Sequence, residues 1–109
     1  MDTNEFLPII GYKLTGFEQV HDYWQLKFEN GILSIFTKFN FDGFSNSTSA
    51  TEILKALSEL TVVDAYYDDI ALSIDFGGLY ILASLKQEDY TGPEAICWYG
   101  PENEIMVFN

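Results

Sequence analysis

Over Trp24–Phe28 and Leu33–Ile35, and again over Ile70–Phe76 and Leu79–Leu85, apolar side chains recur at every second position. That period puts them on one face of an extended chain, because successive side chains of a strand point to opposite sides. In the first run Trp24, Leu26 and Phe28 alternate with Tyr23, Gln25, Lys27 and Glu29. Asn30-Gly31 follows, a pair that readily supplies the positive φ angles of a type I′ turn. A turn there sets Phe28 opposite Leu33 and Leu26 opposite Ile35, so both strands offer one apolar face. In the second run Ile70, Leu72, Ile74 and Phe76 lead through Gly77-Gly78 into Leu79, Ile81, Ala83 and Leu85. Moving that turn to Phe76-Gly77 shifts the pairing by two residues and keeps the same face inward.

The two runs look like copies of one unit. Laying residues 14–36 over 60–82, an offset of 46, matches Leu14, Thr15, Asp22, Leu26, Gly31, Leu33 and Ile35 with Leu60, Thr61, Asp68, Leu72, Gly77, Leu79 and Ile81. Similar pairs fill the gaps, among them Phe17 with Val63 and Phe28 with Ile74. Each copy reads as a strand, a short break and a hairpin, which favours a duplication.

Between the copies, the polar stretch Ser45-Asn46-Ser47-Thr48-Ser49 reads as a loop. Ala50, Ile53, Leu54 and Leu57 then recur at helical spacing, with Ser49 or Thr51 as N-cap, so one helix of about two turns is expected over the sheet. Near the end, Ala95–Tyr99 and Ile105–Phe108 flank Gly100-Pro101-Glu102-Asn103 as a further hairpin, apolar on both faces and so expected inside the structure. Phe6–Leu14 adds an early strand whose start Pro8 confines to an edge. The expected fold is mainly β (α+β if the short helix is counted): an antiparallel sandwich or partly open barrel with about eight strands, forming a single domain over residues 1–109.

Charge narrows the partners. Seventeen acidic residues face five lysines and no arginine, a net charge of −12, of which residues 55–109 carry −8. Nucleic acid and anionic membranes would be repelled, because binding phosphate requires clustered Lys and Arg. A basic protein would be attracted and its approach accelerated. Cys97 is the only cysteine, which excludes an intrachain disulfide and suits a reducing, cytoplasmic setting. The acidic start Met1–Glu5 has no apolar run behind it as a signal peptide would, and no stretch reaches the roughly 18 apolar residues of a membrane span.

Catalytic chemistry finds little support. His21, the only histidine, lies beside Asp22 at a break between strands, where a hydrogen-bonded surface role is expected. Cys97 stands between Ile96 and Trp98 with nothing electropositive nearby in sequence, the setting of a core thiol rather than a nucleophile. Adjacent carboxylates such as Asp68-Asp69 point apart and do not make the facing pair that glycoside hydrolysis uses. No Asp-x-Asp-x-Asp-Gly loop for calcium and no glycine-rich phosphate cradle opening a helix occurs. The expectation is a protein without catalytic residues, metal or cofactor.

A binding protein must present a surface. Tyr66, Tyr67, Asp68 and Asp69 form a block of large amphipathic and acidic side chains at an expected turn, and Glu88, Asp89 and Tyr90 repeat that chemistry in the next loop. Tyrosines among carboxylates suit a basic partner. Tyr66, Tyr67, Asp68, Asp69, Glu88 and Asp89 are therefore the candidate partner-binding residues. The Leu-Thr-led unit at Leu14 and Leu60, the hairpins Leu26–Gly31 and Ile74–Leu79, and the ending Tyr90-Thr91-Gly92-Pro93-Glu94-Ala95 with Ile105–Phe108 resemble small bacterial immunity proteins of contact-dependent growth inhibition and polymorphic toxin systems. The resemblance runs from about Leu14 onward. It implies a cytoplasmic protein that binds a cognate toxin domain, often a basic nuclease, and blocks its active site or substrate groove. The alternatives are a non-catalytic structural or regulatory binding subunit, and a hydrolase using a carboxylate pair.

Overall fold

A computed structural model describes residues 5–6, 9–44 and 48–108. In chain order the strands are β1 (Glu5–Phe6), β2 (Leu14–Val20), β3 (Tyr23–Phe28), β4 (Gly31–Ile35), β5 (Phe39–Asp42), β6 (Asp64–Tyr67), β7 (Ala71–Asp75), β8 (Tyr80–Ser84), β9 (Ile96–Tyr99) and β10 (Ile105–Phe108). One helix, α1 (Ala50–Leu57), lies between β5 and β6. The strands form two antiparallel sheets that do not close into a barrel: sheet I in the order β10-β9-β4-β3-β2, sheet II in the order β1-β6-β7-β8-β5.

The order exchanges strands between the halves. The first half runs β2-β3-β4 as a meander, yet its following strand β5 pairs with β8; the second half runs β6-β7-β8, and its following strand β9 pairs with β4. The halves also meet where each begins, through the antiparallel bridge Lys13↔Thr61 and backbone hydrogen bonds from Leu14 N to Leu60 O (3.0 Å) and from Val62 N to Tyr12 O (2.9 Å). One apolar core joins both sheets. Leu26, Leu33, Ile35 and Trp98 come from sheet I, Leu72, Ile74 and Ile81 from sheet II, and Ile53, Leu54 and Leu57 from α1.

The second hairpin pairs as the sequence indicates. Gly77 and Gly78 both have positive φ, Phe76 N donates to Leu79 O, and Asp75 Oδ1 accepts from both glycine N–H groups at 2.8 Å. The first differs. Leu26 faces Leu33 and Phe28 faces Gly31, so the turn is Glu29-Asn30 and neither Asn30 nor Gly31 has positive φ. The glycine at 31 serves contact instead of torsion. A Cβ there would overlap the Trp98 ring and stand 2.6 Å from Tyr99 O. Because the slip is two residues, Leu26, Phe28 and Leu33 still point inward. It also changes the correspondence between the halves: Leu26–Leu33 and Ile74–Ile81 are the matching pairs, 48 residues apart rather than 46, the same separation as Lys13 and Thr61.

Helix α1 forms where its spacing indicates. Ser49 Oγ accepts from Glu52 N and Glu52 Oε1 accepts from Ser49 N, each at 3.2 Å, a reciprocal cap. Elsewhere the expectations need correction. The strand expected over Phe6–Leu14 is a two-residue β1 and then a turn at Ile9–Gly11; the role given to Pro8 and most of the Ser45–Ser49 loop lie outside the described residues. Ile70 is exposed because β7 begins one residue later, leaving it in the turn. The C-terminal hairpin is buried on one face only. Tyr99, Ile105 and Val107 are 45%, 60% and 46% exposed, since β10 is a sheet edge and the outward side of β9–β10 lies open. Strand β5 was not anticipated.

Candidate functional site

The acidic and aromatic block at the end of β6 divides by side chain. Tyr67 points into the structure and meets Phe108 edge-on, ring centroids 4.7 Å apart, while Tyr66 is half-buried on the other side of the strand. Asp68 closes the β6–β7 turn: its Oδ1 accepts from Ile70 N at 2.8 Å and Ala71 N at 3.0 Å. Those two backbone bonds, Ile70 first, hold its carboxyl below the usual aspartate range. Asp69 is exposed.

The second loop behaves in the same divided way. Asp89 is a clamp, accepting from Ser84 Oγ at 2.5 Å and lying 3.7 Å from Lys38 Nζ, while its backbone oxygen takes Thr37 Oγ1 and Lys38 N at 3.3 Å. It fastens the β8–β9 connection to the β4–β5 connection. Glu88 is exposed. Leu85 N donates to Ile70 O, so the two loops meet at one end of sheet II, where Ile70 and Asp89 line a shared depression. Lys38 and Lys86 line it too, which dilutes its acidity. Of the six candidates, Asp69 and Glu88 carry charge with no architectural bond of their own to keep, Asp68 and Asp89 are fastened into turns, and the tyrosines pack.

A different surface emerges on the outward side of sheet I. The inward residues of β3, β4 and β9 are Leu26, Leu33 and Trp98, so Tyr23, Phe36, Ile32 and Tyr99 fall on the outward side, continued by Ile105 and Val107 on β10. Ser34 and Cys97 lie under this cover, both 2% exposed, and a hydrogen bond with Cys97 is the main reason the Tyr99 phenol is pushed above its ordinary value, helped by nearby Glu94 and Tyr23. Asp22 and Glu94 lie at one end of the stripe, and Glu102 is exposed beside the β9–β10 turn. Sequence reasoning missed this surface because it assigned the hairpin to the interior. The available signal was Ile105-Met106-Val107-Phe108 itself, whose two faces cannot both be covered on an edge strand.

Among the described residues no three His, Cys, Asp or Glu side chains gather as metal ligands, and no helix is long and apolar enough to cross a membrane. His21 is exposed in the two-residue turn between β2 and β3, with φ of +56°, and Cys97 is buried. No family model, curated protein or solved structure matches this chain.

Proposed function

We propose that this chain is an immunity protein that binds and neutralises a cognate toxin domain, a basic nuclease being the kind of toxin its charge suits best. The observation that carries the proposal is the outward side of sheet I, apolar along Ile32, Tyr99, Ile105 and Val107 and acidic at its rim. Exposed apolar surface bordered by charge is the ordinary anatomy of a protein interface. The net charge of −12 supports a cationic partner, and three of the five lysines already lie within 4 Å of a carboxylate: Lys13 with Glu59, Lys27 with Glu18 and Lys38 with Asp89. Little positive charge is left to oppose such a partner's approach.

The test is binding to the product of the neighbouring gene. A stable complex is expected, with an association rate that falls several-fold as salt rises from about 0.05 to 0.5 M, together with rescue of cells expressing that product. Val107→Asp and Ile105→Asp should weaken the complex more than Asp69→Lys and Glu88→Lys do. Turnover of a small molecule by the purified chain, or an association rate indifferent to salt, would count against the proposal.

A further inference from the structure

At one end of the outward stripe lies a notch of about 200 Å³, lined by Asp22, Tyr23, Phe36, Thr91, Pro93 and Glu94. Its volume is below the roughly 300–1,000 Å³ of cavities that take drug-sized ligands. It has room for one side chain. Tyr23 and Phe36 form an aromatic wall, centroids 4.6 Å apart and planes inclined by 38°. Both are held by the ladder: Tyr23 opens β3 directly after the turn, and Phe36 N donates to Ala95 O at 2.8 Å, drawing the Thr91–Glu94 loop against the ring. The site is therefore assembled before any ligand arrives, which lowers the ordering that binding requires.

The lining selects its ligand by exclusion. An anion would meet the carboxylates of Asp22 and Glu94. A purely apolar group would cover the rings but strip water from those carboxylates without replacing it. A cation satisfies both, and no lysine lines the notch to compete, unlike the depression at the end of sheet II. A guanidinium group fits better than an ammonium. It is planar, weakly hydrated, stacks on aromatic faces and donates N–H bonds to carboxylates, whereas an ammonium keeps its water. We propose that this notch receives one arginine side chain of the protein partner. The proposal rests on the protein-binding reading above and supplies it with an anchor, since buried arginines are frequent hot spots at interfaces.

The experiment uses the isolated protein, so it does not depend on the partner. Amide and side-chain resonances are followed while N-acetyl-arginine amide is added, with the lysine and citrulline analogues in parallel. Shifts confined to Asp22, Tyr23, Phe36 and residues 91–94 are expected with the arginine compound, at millimolar affinity. The lysine compound should bind several-fold more weakly and the neutral citrulline compound not at all. Tyr23→Leu and Glu94→Gln, each verified as folded from its spectrum, should lower the arginine affinity by about threefold to tenfold. Absence of shifts in the notch, equal shifts with citrulline, or lysine binding as well as arginine would overturn the assignment. If the neighbouring gene product still binds Tyr23→Leu with full affinity while the arginine compound shifts nothing, the notch assignment falls and the protein-binding reading stands. If the arginine compound binds and no partner complex forms, the reverse holds.

Discussion

Replacing Gly31 by alanine should destabilise the protein through Trp98. Gly31 opens β4 opposite Phe28, has ordinary negative φ, and faces the core beneath the fully buried Trp98 ring. A Cβ there overlaps the indole's outer edge and approaches Tyr99 O to 2.6 Å. Neither neighbour yields easily, one being a buried ring that also meets Phe28 edge-on at 6.1 Å, the other a ladder carbonyl. Overpacking of this kind costs about 1–3 kcal/mol, and the upper end applies here. The reduced freedom of the unfolded chain returns about 0.5–1 kcal/mol. The net loss is therefore about 2 kcal/mol, a fall in melting temperature near 10 °C at roughly 4–8 °C per kcal/mol. Urea unfolding followed by tryptophan fluorescence measures it. Two controls separate the causes. Gly77→Ala has no atom within 4 Å of its Cβ but a φ of +96°, so its penalty is conformational alone, about 1 kcal/mol. Trp98→Phe removes the clashing ring edge, so Gly31→Ala should do less harm in that background by about 1 kcal/mol. An unchanged Gly31→Ala penalty in Trp98→Phe would refute the assignment of that penalty to the Trp98 ring.

Three further outcomes follow from individual contacts. Glu59 holds a left-handed backbone, φ +76°, just after α1, so Glu59→Gly should raise stability by about 0.5–1 kcal/mol in thermal melts, its distant ion pair with Lys13 (3.9 Å) being a small loss. Trp98 Nε1 donates to Glu104 Oε1 at 2.9 Å, so Glu104→Ala leaves a buried N–H unpaired and should cost about 1–3 kcal/mol, with Glu104→Gln closer to wild type by the same assay. Asp68 has its carboxyl lowered in the folded state, so its contribution is present above the unfolded value of about 3.9 and is lost as pH falls through the lower folded value. Asp68→Ala should therefore melt below wild type at pH 7, with the gap closing under strongly acidic conditions.

The strands were legible because parity is robust. Leu26, Phe28, Leu33 and Ile35 face inward whether the turn falls at Glu29-Asn30 or Asn30-Gly31, so the period alone places them. The register was not legible, because it depends on Trp98, a residue some 67 positions away that needs the space at Gly31. Helix α1 was readable from Ser49, Glu52 and its apolar spacing, all local. Strand β5 is four residues long, and its alternation of Phe39 and Phe41 with Asn40 and Asp42 is too short a signal by itself. The candidate site suffered from a different blindness. Asp68 and Asp89 read in sequence as carboxylates on display, yet turn geometry engages both in bonds to neighbouring backbone or hydroxyl groups.

The exchange of strands between halves explains why the apolar surface lies where it does. Each three-stranded meander would leave the edge of its last strand, β4 or β8, open; each is covered by a strand from the other half. For β8 the covering strand is β5, which ends sheet II with Asn40 and Asp42 alternating along it. For β4 it is β9, which brings β10 as a further strand, so sheet I ends on Ile105-Met106-Val107-Phe108 with no lysine, proline or bulge among these residues. Natural sheets use such residues to discourage edge pairing. Here the nearest free charge is Glu102, exposed just ahead of the strand. Carboxylates repel another copy of an acidic chain but attract a basic one, so a carboxylate placed here would suit the cationic partner proposed for this face.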